Sequence, residues 1–322
     1  MFAIIHRKLF LSIAAILMLG SAGIIGVLGL NLGIDFTGGS LTEVAYEEAP
    51  ELAAVEAAAS EAVENLGEVS VRASTDEAGR AAYLINTRDL TEPERASVTA
   101  AVSALGEGGE VTRFTSIGPV IGQELKDKAV WAIGAVALVI VLYVAFAFAG
   151  IGAPISSWIY GGITILVLIH DVLVPTALMS VLGQVTGAEV DVLFVMAILA
   201  VLGYSVNDTI VVFDRVRENL KANRTEHREK RSEAGVVHED VTYTLDRPYE
   251  ELVGEAVQAT LARSINTSLT TLLAVGSLLV LGGSVTQTFA LILMAGVLAG
   301  TYSSICIASP LVVAYAKWKG RA

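Results

Sequence analysis

Six apolar runs of close to bilayer-spanning length constrain this chain more than anything else in it. A bilayer core takes roughly 20 helical residues to cross. Inside it each backbone amide must be satisfied within its own segment, which leaves helices as the spanning structure for runs of this length. The runs fall at 9–30, 130–149, 155–173, 190–213, 265–281 and 289–315. Only 17% of residues are charged, against about 25% in a typical soluble domain. The expected fold is therefore an α-helical polytopic membrane protein. The first run follows Arg7 and Lys8 much as a signal peptide would, but it is too long for an h-region and has no small-residue cleavage site, so it reads as a retained span. Cys306 is the single cysteine, so no disulfide framework is expected.

The net charge of −12 is concentrated. Between Asp35 and Glu124 there are 17 acids and 5 bases, and the remainder is balanced at 16 and 16. That acidity argues against nucleic-acid binding. The segment alternates between strand and helix patterns: strands at 40–46, 69–74, 82–87 and 110–117, helices at 50–66 and 91–105. Asp76-Glu77-Ala78-Gly79 is turn chemistry, and Thr91-Glu92-Pro93-Glu94 is a helix start with a capping Thr and an early Pro. The order β-α-β-β-α-β predicts one external ferredoxin-like α+β domain. Its acids read as solvated helix-face charge. The expected organisation is residues 1–34 for the N-terminus and first span, 35–125 for the external domain, and 126–322 for spans two to six. A charged cytoplasmic loop occupies 214–255, in which 236–245 is either a short hairpin or disordered.

Basic residues set the orientation. Arg7 and Lys8, then Arg215, Arg217 and Lys221, then Lys317, Lys319 and Arg321 all fall on one side of six spans, which predicts cytoplasmic termini. Lys126 and Lys128 dissent. The segments 35–124, 174–189 and 282–288 are expected outside.

Ionisable residues within the runs are the functional candidates. Asp208 follows Asn207 in the fourth run, where a charge at the bilayer centre costs roughly 2.5 kcal/mol or more. It serves either a transport path or a buried polar contact, and intramembrane carboxylates favour the first. Arg263 opens the fifth run. It either pairs with Asp208, at similar depth in an antiparallel helix, or snorkels to the interface. A carboxylate between an arginine and apolar surroundings can switch protonation, as a relay requires. His170-Asp171 in the third run is either a relay or a polar contact between helices, since His titrates near neutral pH. Thr267-Ser268-Leu269-Thr270-Thr271, and Gly296 with Gly300, read as close helix packing. Gly33, Gly38 and Gly39 mark the junction of span and domain as a hinge or a tight-packing point.

Two stretches carry a family resemblance. Asn31-Leu32-Gly33-Ile34-Asp35-Phe36-Thr37-Gly38-Gly39-Ser40 and the stretch from Gly203 through Tyr204-Ser205-Val206-Asn207-Asp208-Thr209 to Asn219 resemble the SecF family, the smaller partner in the SecD–SecF accessory complex of Sec protein export. Thr260 to Thr271, with Arg263, resembles the matching stretch of that family. The resemblance implies a six-span RND-superfamily half-bundle with SecD as its counterpart. It also implies contacts with the SecYEG channel, a YajC-type subunit and the translocating preprotein, in the bacterial plasma membrane. It implies that the proton motive force drives late preprotein translocation, with Asp208 and Arg263 in the proton path, joined here by Asn207, Asp171 and His170. Asp35, Phe36, Thr37, Gly38 and Gly39 open the external domain. Residues 223–247 look like an insertion relative to the family. No nucleotide motif, metal or other cofactor is expected, and no chemical catalysis; the coupling ion is a proton or sodium. The competing readings are an RND-type small-molecule or lipid exporter and a non-conducting scaffold.

Overall fold

Among the described residues, six helices are long and apolar enough to cross a membrane: Arg7–Leu28, Pro119–Ala147, Ser157–Thr186, Val192–Ala222, Tyr249–Leu281 and Val285–Trp318. The computed structural model describes residues 2–67, 69–76, 78–148, 155–233 and 236–320; for 228–233, 236–242 and Ser284 it describes the backbone only. Each expected span is present, and several extend well past the apolar run that predicted them.

The third span differs most. Its run was expected to stop at 173, with 174–189 outside, yet the helix continues through Pro175 to Thr186. Proline removes one backbone bond, and membrane helices tolerate this where hydroxyls and neighbours re-satisfy the backbone. The bond that Pro175 removes is the one to the Asp171 carbonyl; next to it, Thr176 Oγ1 adds a bond to the Val172 carbonyl at 2.7 Å. The fifth span begins at Tyr249 rather than 265. The cytoplasmic segment expected at 214–255 is accordingly more ordered than a loop. The fourth span runs to Ala222, and strands β5 (Arg224–Glu233) and β6 (Val236–Leu245) then form an antiparallel hairpin. That hairpin coincides with the expected insertion. The second span is 29 residues, roughly 44 Å of helix, so Lys126 and Lys128 sit on a turn beyond the apolar run, where Lys128 pairs with Glu124 at 2.7 Å.

The segment expected to form the external domain has the predicted order of elements. Strands β1 (Gly39–Tyr46), β2 (Ser70–Thr75), β3 (Ala81–Thr87) and β4 (Glu110–Ile117) form one antiparallel sheet in the order β2-β3-β1-β4. Its two helices cover Leu52–Glu61 and Glu92–Ser103. The first is shorter than 50–66: it ends at Glu61, and the chain turns through Asn65, φ 58°, beyond it. The second starts on the predicted capping box, Thr91 with Glu94. Val44, Tyr46, Val55, Ala59, Ile85, Val98 and Val102 form the core between sheet and helices. Burial, together with the neighbouring Tyr83, pushes the Tyr46 hydroxyl up to about 12, and it donates to the Val102 carbonyl at 2.7 Å. Glu77 of the predicted turn lies outside the described residues, while Asp76 Oδ1 accepts the Ala78 and Arg80 amides.

At the opposite end of the bundle, Glu250 at the start of the fifth span meets Arg7 at 3.6 Å and also pairs with Lys317. The two ends of the chain therefore share one face, as six antiparallel spans require. The bundle core below them is aromatic: Phe148, Tyr160 and Phe213 pack ring to ring, and the Tyr160 and Tyr249 hydroxyls meet at 2.8 Å.

Candidate proton site and its link to the external domain

Asp208 lies on the fourth span and is buried. Ser264 of the fifth span donates to its Oδ1 at 2.5 Å, and Ser304 of the sixth donates to its Oδ2. One turn earlier on the same helix, Ser205 donates to Oδ2 of Asp171, a fully buried residue of the third span. Ser303 donates to that same oxygen at 2.7 Å. His170 Nδ1 meets Asp171 Oδ1 at 2.8 Å. With Asp171 ionised, Nδ1–H is the donor, and Nε2 is buried without a partner among the described residues. Four spans thus bring two carboxylates and one imidazole together at membrane depth, each carboxylate held by two serine hydroxyls.

Arg263 is placed as the sequence predicts in depth but not in direction. Ser264, its neighbour, reaches Asp208, so Arg263 is level with that carboxylate. Its side chain is exposed on the other face of the fifth span, and no ion pair joins it to Asp208 among the described residues. Of the two readings open for Arg263, the pair with Asp208 is not formed among the described residues of this chain. Adjacent residues on a helix point about 100° apart, so only one of Arg263 and Ser264 can face the fourth span. Asn207 is likewise exposed. Of the hydroxyl stretch 267–271, only Ser268 reaches another helix. It meets Thr301 at 2.5 Å and accepts from Tyr204 at 3.0 Å, whereas Thr270 and Thr271 bond to their own helix. Gly296 and Gly300 do pack tightly. A Cβ on Gly296 would collide with Val201, and one on Gly300 would lie 3.0 Å from Ser205 Cβ.

The span-to-domain junction is stitched to the same fourth span. Asp35 Oδ2 accepts the Val192 amide at 2.9 Å, in the first turn of that helix, and Asp191 caps it through Phe194 N at 2.8 Å. Gly33 N donates to Val190 O at 2.9 Å and Val190 N to Asn31 O at 2.7 Å. Phe36 is buried beside Phe194, Ile198 and Ile292. Thr37 Oγ1 donates to the Gly33 carbonyl at 3.1 Å. Gly38 (φ 74°) and Gly39 (φ 132°) occupy left-handed backbone conformations that strain other residues. A Cβ on Gly38 would sit 2.7 Å from Pro119 Cα, and one on Gly39 2.5 Å from Thr87 O. Tight packing therefore accounts for this pair. Nearby, Arg72 on β2 donates to Gly187 O at 2.6 Å and faces Glu189 at 3.9 Å, which Asn86 on β3 also bonds. A cavity of about 390 Å³ between β2 and the outer ends of the third, fourth and sixth spans is lined by Arg72, Ser74, Glu189, Asp191 and Gln287. Burial pushes both Glu189 and Asp191 above the ordinary carboxylate range.

The family model described as "Protein export membrane protein SecD/SecF, C-terminal" matches residues 97–237 and 235–318, and the "SecD/SecF GG Motif" model matches 23–50. The chain belongs to the SecD/SecF family. It is 33% identical to the protein translocase subunit SecF of Sebaldella termitidis, over 97% of this chain and 91% of that protein. It is 36% identical to SecF of Anaerolinea thermophila, over 95% of this chain and 91% of that protein. It is also 35% identical to the SecDF subunit of Thermus thermophilus, over 96% of this chain but 37% of that longer protein. The crystal structure of SecDF, a translocon-associated membrane protein from Thermus, superposes with a TM-score of 0.79 at 32% identity, covering 98% of this chain and 38% of that one. Six apolar helices and this membership make the chain an integral membrane protein of the bacterial plasma membrane with the expected RND-type half-bundle.

The residues that sequence reasoning missed are the serines. Ser205 and Ser264 sit inside the stretches that carry the family resemblance, and Ser303-Ser304 sits in the sixth run, but serine in an apolar helix is an ordinary packing residue. The capping role of Asp35 was equally hidden, because its partner amide lies 157 residues away in sequence.

Proposed function

We propose that this chain is the SecF-like subunit of the Sec accessory complex. In this reading, proton entry at Asp208 is coupled to movement of the external domain that handles exported preprotein. The observation that carries the reading is a single helix with two attachments. The fourth span bears a buried carboxylate held, among the described residues, by two serine hydroxyls, and its opposite end is capped by Asp35 of the span-to-domain junction. A change in charge at Asp208 alters how the fourth span packs against the fifth and sixth, and Asp35 hands any shift of that span to Gly38-Gly39 and β1. Moving one charge through 100 mV supplies about 2.3 kcal/mol, enough to drive a rearrangement that breaks few contacts.

SecD supplies the second set of six spans. The exposed Asn207 and Arg263, at the depth of Asp208, suit a face covered by that partner rather than by lipid. The termini lie in the cytoplasm by the distribution of basic residues. SecYEG, a YajC-type subunit and the preprotein are the further partners, and a proton rather than sodium is the coupling ion. The test is export in membrane vesicles with SecD present. Asp208→Asn is expected to abolish the gradient-dependent part of export while the complex still assembles. Normal export by that variant removes the reading.

A further inference from the structure

Ser303 and Ser304 are neighbours in sequence yet reach different carboxylates, Asp171 on the third span and Asp208 on the fourth. The 100° between adjacent helical residues makes this possible only if the sixth span is pressed between the two. Gly296 and Gly300 supply that close approach. Each serine also has a second acceptor within reach on its own helix: Gly300 O at 3.0 Å for Ser303, and Thr301 O at 3.1 Å for Ser304. A hydroxyl has one hydrogen, so each serine chooses between a carboxylate and a backbone carbonyl. At Ser304 the helix changes to a π-helical segment, Ser304–Ala308, where Ser309 Oγ donates back to Ser304 O at 3.2 Å. Such segments are frequent at functional sites.

We propose that Ser303 and Ser304 are positioning residues that tie protonation of Asp208 to the hydrogen bonding of Asp171 and His170 through this π-helical segment. The inference rests on the reading of Asp208 as the proton carrier. The proton count is simple. With Asp208 ionised, Ser304 donates to Oδ2. When one proton adds to Oδ2, the new O–H donates to Ser304 Oγ, and the serine hydrogen turns to Thr301 O. No other proton moves. The turn at Ser304 alters the seat of Ser303 one residue away, and with it the bond to Asp171. The other titratable side chains packed around the unit are His170 and, on the sixth span, Tyr302, whose ring centroid lies 6.0 Å from that of His170, together with Cys306. Tyr204 reaches it through Ser268. Arg263 of the fifth span and Tyr143 of the second are exposed.

Ser264 is the built-in control, because it too bonds Asp208 but stands on the fifth span, and among the described residues its side chain makes no hydrogen bond to Asp171, Ser303 or Ser304. The test is pH-dependent infrared difference spectroscopy on the complex with SecD in lipid, with Asp208→Asn and Asp171→Asn assigning the two carboxyl signals. Ser264→Ala is expected to shift the Asp208 band alone. Ser304→Ala is expected to shift both the Asp208 and the Asp171 bands. A Ser304→Ala spectrum with the Asp171 band unmoved overturns the proposal. Should the variants not assemble, the unmodified complex decides. The Asp171 band is expected to move at the same midpoint pH as the Asp208 band, and separate midpoints refute the coupling. These bands are read without export, so failure here is distinct from normal export by Asp208→Asn, which removes the proton reading itself.

Discussion

The acids outside the membrane and those within it are held by opposite means. In the external domain and at its junction, four acids that hold structure each have a fixed donor. Asp76 has Arg80 at 2.7 Å, Glu94 has Arg88 at 2.5 Å, and Asp35 and Asp191 each accept a backbone amide. Arg88, with the Thr91 amide and hydroxyl, brings the Glu94 carboxyl down to about 2. Guanidinium and amide groups only donate, so such contacts favour the carboxylate form and hold structure in place. Asp171 and Asp208 instead meet serines, which donate to a carboxylate and accept from a carboxylic acid equally well. A site of that kind takes up a proton without leaving an unpaired cation behind. The contrast separates a scaffold that positions the fourth span from the switch proposed to act on it.

The largest effect should come from breaking the scaffold. Gly39→Ala forces an alanine to φ 132° with its Cβ against the Thr87 carbonyl. Backbone strain alone costs about 1–3 kcal/mol. The purified complex should unfold at a clearly lower temperature, and an unchanged melt would show that the junction does not pack as described. Asp35→Ala removes one helix cap, worth about 1 kcal/mol. Amide hydrogen exchange should rise at Val192, and gradient-driven export should weaken while the Asp208 infrared band stays in place. If that band moves too, scaffold and switch are not separable.

The smallest effect tests an acid that is intermediate between the two kinds. Burial raises the Glu189 carboxyl despite Arg72 and Asn86, so the docked domain binds this proton more tightly than an undocked one. That contribution is full below the ordinary glutamate value of about 4.3 and is lost as pH rises through the raised one. Distances between β2 and residue 187, read by spin labels, should therefore broaden as pH rises across this window, and Glu189→Gln should weaken the dependence to what Asp191 contributes. Tightening with rising pH would reverse the sign and contradict it.

The scaffold was largely legible in the sequence, and the switch only in part. Apolar runs locate spans because length is fixed by the bilayer, and the domain follows from alternation and from Thr91 and Pro93. Depth was legible as well: Asp208, Asp171, His170 and Arg263 were all recognised as intramembrane groups. Direction was not, because whether Arg263 or Ser264 faces the fourth span depends on helix rotation, which packing sets. The helix through Pro175 and the π-helical segment after Ser303 were hidden for a related reason. Both depend on neighbours that satisfy displaced backbone groups, and no local pattern encodes them.

The central claim is that Asp208 carries the coupling ion while the scaffold around it stays intact. It is tested most directly by ion conductance of the complex with SecD in planar bilayers, under separate proton and sodium gradients, with and without Asp208→Asn. The account predicts a proton current in the unmodified complex that disappears in the variant, with no sodium current in either. A proton current of equal size in Asp208→Asn would contradict it.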